Sequence, residues 1–120
     1  SDKYDVVHIH YRSKDSNYTM IGISGLKFYK KIKDCSRRQN EIVNELRDYF
    51  PSINPTNNHT KHSADKSGKS KIHFRSFHLE SGDVISTACF DWSKEMKYLD
   101  NLRIGLITSE LNDWFGIAYN

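Results

Sequence analysis

Six histidines are the first candidates for chemistry in this chain, and four of them fall between positions 59 and 78. His59-x-x-His62 offers two imidazoles at a spacing a metal ion can use. Asp65 is the one further ligand type close by, however, and a zinc site takes three or four ligands held on turns or elements. The segment therefore reads as solvated loop histidines, with no metal and no other cofactor expected. His73 and His78 fall on opposite faces of an expected strand and cannot line one site. His8 and His10 share a strand face, which suits a general acid–base pair, although such a face is also what the solvent side of a sheet looks like.

Gly68-Lys69-Ser70 has the form of the end of a phosphate-binding loop. The first glycine of that motif would fall at Ser63, no hydrophobic strand precedes it and no helical pattern follows, so no nucleotide site is expected. Carboxylates give no usable pair. The cations are more informative: Lys61, Lys66, Lys69, Lys71 and Arg75 face Asp65 alone between 59 and 78, with Phe74 and Phe77 interleaved. With Lys30, Lys31, Lys33, Arg37 and Arg38 they could track phosphates while aromatics stack on bases. A compact ribonuclease-type toxin domain uses such a set, with a general base, a general acid and a cation for the phosphorane. The plainer reading is lysines on a solvated loop and phenylalanines in the core. Near the C-terminus, Trp114, with Trp92 and Tyr98, is of the aromatic type that anchors protein interfaces. The residues expected to meet a partner are Lys61, Lys66, Lys69, Lys71, Arg75 and Trp114.

These groups sit on a chain of 120 residues with 37% hydrophobic residues and a formal charge of +3. That length supports one core and one domain, 1–120. The balance of 18 Lys+Arg against 15 Asp+Glu contains no block of one sign, so nucleic acid is not the expected partner. No run approaches the ~18 apolar residues of a membrane-spanning helix. Two cysteines, Cys35 and Cys89, are either bridged or two buried thiols. A bridge would close a loop of about 54 residues and stabilise the fold by ~4 kcal/mol. The start at Ser1-Asp2-Lys3, without Met, fits a removed secretory signal and an oxidising compartment, and fits a trimmed chain equally. Asn17-Tyr18-Thr19 and Asn58-His59-Thr60 are short glycosylation sequons in expected loops.

The elements that must position these residues follow from periodicity. Tyr4–Arg12 alternates Val7, Ile9 and Tyr11 against Val6, His8 and His10, as a strand does, and after a polar turn at 14–17 a second strand runs from Tyr18 to Ser24. From Leu26 the period becomes three to four, through Tyr29, Ile32, Cys35, Gln39, Ile42, Val43 and Leu46, until Pro51 ends a helix at Phe50. Its start is open: the cations come first and the acids last, against the macrodipole, and Ser36 could cap a separate helix beginning at 37. Residues 51–69 read as a long loop. Lys71–Glu80 and Asp83–Trp92 read as strands joined by a two-residue hairpin at Ser81-Gly82. Within the second strand Cys89 shares a face with Ile85, so a bridge would place the helix there. Leu102–Thr108 is a further strand, 109–115 a short helical turn capped by Ser109, and 117–119 a last extended piece. The expected fold is α+β: an antiparallel sheet of four to five strands with one principal helix packed on one face.

This whole-chain profile resembles small bacterial periplasmic immunity proteins of the pesticin-immunity type. It is carried by the start at Ser1-Asp2-Lys3, the cysteines at 35 and 89, one helix on a sheet, and a composition rich in Asn, Lys, Ser and Tyr without a catalytic signature. The resemblance implies a non-enzymatic inhibitor, periplasmic or secreted after removal of a signal segment. Its partner would be a protein toxin, either a bacteriocin or a secreted cell-wall hydrolase. Occlusion of that toxin would fall to loop 51–70 or to the aromatic C-terminal segment. These families share no motif, so no functional residue is transferred. The basic balance departs from inhibitors of nucleases, which tend to be acidic, and suits an acidic toxin surface instead.

Overall fold

A computed structural model describes residues 3–12, 17, 20–111 and 113. Strands β1 (Val6–Tyr11) and β2 (Met20–Tyr29) lead into helix α1 (Ile32–Tyr49). Strands β3 (Asn58–Lys61), β4 (Lys71–His78), β5 (Val84–Asp91) and β6 (Asp100–Ile107) follow, with a 3-10 turn at Lys94–Met96 before the last. They form one six-stranded antiparallel sheet in the order β1-β2-β6-β5-β4-β3. The helix carries the chain across the sheet, and β3 to β6 meander back until β6 closes on β2. The α+β class and the single principal helix are as expected; the strand count is six rather than four or five.

The additional strand is β3, inside what reads as a loop. Asn58-His59-Thr60-Lys61 has no apolar alternation because all four residues are exposed on an edge. Their backbone pairing with β4 needs no side-chain pattern. The second correction concerns 26–29. These residues extend β2, with Leu26 opposite Arg103 and Phe28 opposite Asn101, so the helical period begins only at Ile32. No separate helix starts at 37. The i,i+3 pairs Arg37–Asp34 (2.7 Å) and Arg38–Glu41 (3.0 Å) offset the inverted charge order along α1. At the other end the Phe50 N–H bonds Leu46 O, and Pro51 follows. The β4–β5 connection is longer than two residues: Leu79 N–H bonds Asp83 O, and Gly82 takes φ +90°, open to glycine without strain. The helical residues after β6 are capped by Thr108, whose Oγ1 accepts from Leu111 N–H, rather than by Ser109. The pieces expected at 114–119 lie outside the described residues.

The core lies between α1 and the middle of the sheet. Cys35, Ile42, Cys89 and Leu102 form its buried centre, with Tyr29, Ile32, Leu46 and Ile104 around them. Cys35 and Cys89 are bridged, 54 residues apart, on the face of β5 that carries Ile85. Gln39, only 1% exposed, sits beside the bridge and donates from Nε2 to His73 O and Thr87 Oγ1, both at 3.0 Å. Thr87 Oγ1 in turn donates to Arg75 O. A buried amide is tolerable here because its donors are satisfied. No helix among the described residues is long and apolar enough to cross a membrane.

The opposite face of the sheet is not covered by α1; the helical residues after β6 reach its edge, where Leu111 is buried over Gly22. Ile72, Ala88 and Phe90 form a smaller buried cluster on this face, supported by Phe74 and Trp92.

Candidate functional site

The basic stretch is an ordered turn built around one carboxylate. Asp65, 7% exposed, accepts five hydrogen bonds. Its Oδ1 takes Ser67 N–H (3.0 Å) and Ser67 Oγ (2.7 Å). Its Oδ2 takes Ser70 N–H (3.1 Å), Ser70 Oγ (2.5 Å) and Ser93 Oγ (2.7 Å). Hydrogen bonds to the charged form hold this carboxyl far below the usual range, with Ser70 the largest cause and Ser67 and Ser93 next. Ser93 N–H donates to Ser70 Oγ (2.8 Å), so the turn is tied to the segment after β5 through backbone as well as side chains. Backbone bonds from His62 N–H to Ser70 O and from Gly68 N–H to Asp65 O close it from within. Gly68 is left-handed (φ +76°), as this tight return requires.

This turn presents the lysines. Lys61 and Lys71 face each other across the β3–β4 ladder. The Lys61 side chain runs past Gly68, its Nζ 3.6 Å from where a β-carbon would stand. Lys66 and Lys69 project from the turn itself, and Lys69 pairs with Glu95 (3.1 Å) at an exposed site. The four lysines expected to meet a partner thus lie at one end of the sheet, and Lys69 is in an ion pair with a described residue. Arg75 does not join them. It lies under α1, half-buried, donating to Asn40 Oδ1 (3.3 Å) while its Nε has no hydrogen-bond partner. Trp114 lies outside the described residues.

The histidines are dispersed among other tasks. His59 stacks on His73 across the β3–β4 pair, with ring centroids 4.0 Å apart, and His73 Nε2 meets Asn57 Oδ1 (2.6 Å). Burial pushes the His73 pKa down, with the neighbouring His59 and Arg75 adding to it. His62 instead packs on Trp92 (4.4 Å) and edge-on to Phe90, so His59 and His62 point to different faces and share no ligand. Among the described residues no three metal-ligating side chains converge. His8 and His10 do share a face, the one opposite α1, beside Ser24, Phe90 and Arg103. The sequon at Asn58 lies in β3; in the other, Asn17 is exposed, and Tyr18 and Thr19 lie outside the described residues.

Two working residues have no strong sequence signal. Asp65 is recognisable only as part of a polar turn, since Ser93, which completes its shell, is 28 residues away. Arg103 is one cation in an apolar strand, and its setting becomes visible only when β6 is placed at the centre of the sheet. No family model, no curated protein and no solved structure matches this chain.

Proposed function

We propose that this protein is a non-enzymatic inhibitor of the immunity-protein kind, whose lysine-bearing turn at 61–71 seats in an acidic site of a protein toxin. The observation that carries the reading is the Asp65 latch. A loop that is ordered before it meets its partner loses little conformational entropy on binding, which is how a small surface reaches useful affinity. The lysines around it speed approach to an acidic cleft and fix orientation. The buried Cys35–Cys89 bridge supports folding in an oxidising compartment, and the periplasm is the site we propose for the protein's action.

Co-expression with the product of the adjoining reading frame tests this. The wild-type chain should protect the host, and Lys61→Glu/Lys66→Glu/Lys69→Glu should lose protection while folding normally. Equal protection by the triple variant, or none by wild type, contradicts the reading. The alternative, a ribonuclease-type toxin domain, is favoured by the placing of His8, His10 and Arg103 in one concavity. Incubation with total RNA separates the two: the inhibitor leaves it intact, whereas cleavage abolished by His8→Ala or His10→Ala replaces the inhibitor with the enzyme.

A further inference from the structure

The face of the sheet opposite α1 combines small side chains with aromatics and one arginine. A lateral row across it reads His8, Ser24, Gly105, Ser86, Ser76 in strand register. Small side chains at the centre of a row leave a trench, and Gly105 keeps it open. A β-carbon there would stand 2.9 Å from Ile23 O, so no larger residue fits without moving backbone. The trench is a concavity of about 410 Å³, with His8 and His10 on one side and Phe74 and Phe90 on the other.

A second concavity of about 530 Å³ adjoins it, lined by Phe28, Trp92, Lys97, Tyr98 and Leu99. Arg103 lines both. Its guanidinium lies over the Phe90 ring (4.5 Å), and its Nε is steered by Asn101 Oδ1 (3.4 Å). Among the described residues neither concavity has an Asp or Glu in its lining. Glu110, next to Leu111 at the rim, is held by Arg12 (2.8 Å). Strand alternation sends Asp91 and Asp100 to the helix face, where they flank Cys89 and Leu102. Phe28 is 42% and Tyr98 61% exposed, available to a flat ring.

Two ring-sized hollows with a fixed cation between them, and no carboxylate in either, match a chain in which an anionic link separates planar groups. We infer that the face opposite α1 binds single-stranded nucleic acid, with a phosphate on Arg103 and bases in the two concavities. Stacking on exposed aromatics and a cation on the backbone are the two forces such binding uses. This goes beyond the inhibitor reading and does not depend on it, because the lysine turn takes no part.

Fluorescence anisotropy with labelled twelve-nucleotide oligothymidylate and oligouridylate, at low salt, tests the inference. Binding is expected, with an affinity that falls with salt by a log–log slope of about −1.4 for phosphates on Arg103 and Lys97. Arg103→Gln should reduce that slope by about 0.7. Tyr98→Ala, at a site too exposed to affect folding, should weaken binding at least about fivefold. Arg37→Ala, on α1, should change nothing. The inference is overturned if neither oligonucleotide binds. It is equally overturned if binding ignores both Arg103→Gln and Tyr98→Ala but is lost in the Lys61/Lys66/Lys69→Glu triple variant. Binding of a neutral chitooligosaccharide in place of the oligonucleotides would assign the face to sugar rings instead.

Discussion

The two faces of this sheet are made from the same strands and do opposite things. On the helix side, β5 and β6 contribute Cys89, Thr87 and Leu102 to a buried contact with α1, stapled by the Cys35–Cys89 bridge and keyed by Gln39. On the other side the same two strands contribute Ser86, Gly105 and Arg103 to an open trench. Residue alternation alone divides stability from accessibility, and the lysine turn at the end of the sheet belongs to neither face. Stability should therefore respond strongly to substitutions at Thr87, Cys89 and Leu102 and little to those at Ser86 and Arg103, whereas Ala88 and Phe90, buried in the smaller cluster on the open side, should also count.

The strongest break of that asymmetry is the bridge. Cys35→Ser/Cys89→Ser should lose about 4 kcal/mol, the chain-entropy value for the loop it closes, measured as a lowered urea midpoint. Gln39→Ala comes next. It leaves Thr87 and the His73 carbonyl without their buried donor and opens a small void, at a cost of about 2–3 kcal/mol by the same measurement. Gln39→Leu, which keeps the volume, should cost less. On the open face Arg103→Gln should shift the same midpoint by under about 1 kcal/mol, since it loses only a cation–π contact and one long hydrogen bond. A loss comparable to that of Gln39→Ala would mean that the open face is part of the core.

The turn has its own pH signature. A carboxyl held below its unfolded pKa contributes stability that is complete above about pH 4 and is lost as pH falls through the lower range toward its depressed value. The Ser67 and Ser70 amide resonances, which report directly on Asp65, should therefore titrate with a midpoint well under the ordinary carboxylate value. A midpoint near 4 would remove the latch.

Most of the fold was legible because its strands alternate: Val7 and Ile9 against His8 and His10, and Ile85 and Cys89 against Ala88 and Phe90. That alternation puts Cys89 on the face of Ile85, so that a bridge, if formed, would lie under the helix. Two features were not legible. The first, β3, has no alternation because an edge strand with both faces exposed has no apolar face to encode. The second is the end of β2, where Leu26 and Tyr29 satisfy a helical spacing as well as a strand one, and only the pairing with β6 decides between them. The site was partly legible. The four lysines do lie together at one end of the sheet, but Arg75, grouped with them by sequence, is half-buried under α1 because of the packing of a distant helix. Asp65 was seen merely as the lone acid among the lysines; what makes it the organiser is Ser93, brought in from beyond β5.

The most direct test of the central claim, that a preordered turn and not its charge alone makes the working surface, is host protection by Asp65→Asn. This variant keeps every lysine and removes a negative charge, yet places an N–H₂ where Ser67 or Ser70 N–H must donate, so the latch fails without loss of the sheet. In cells expressing the product of the adjoining reading frame, Asp65→Asn should protect markedly less than wild type despite its more positive turn. Protection equal to or better than wild type would contradict the account and leave charge as the whole explanation.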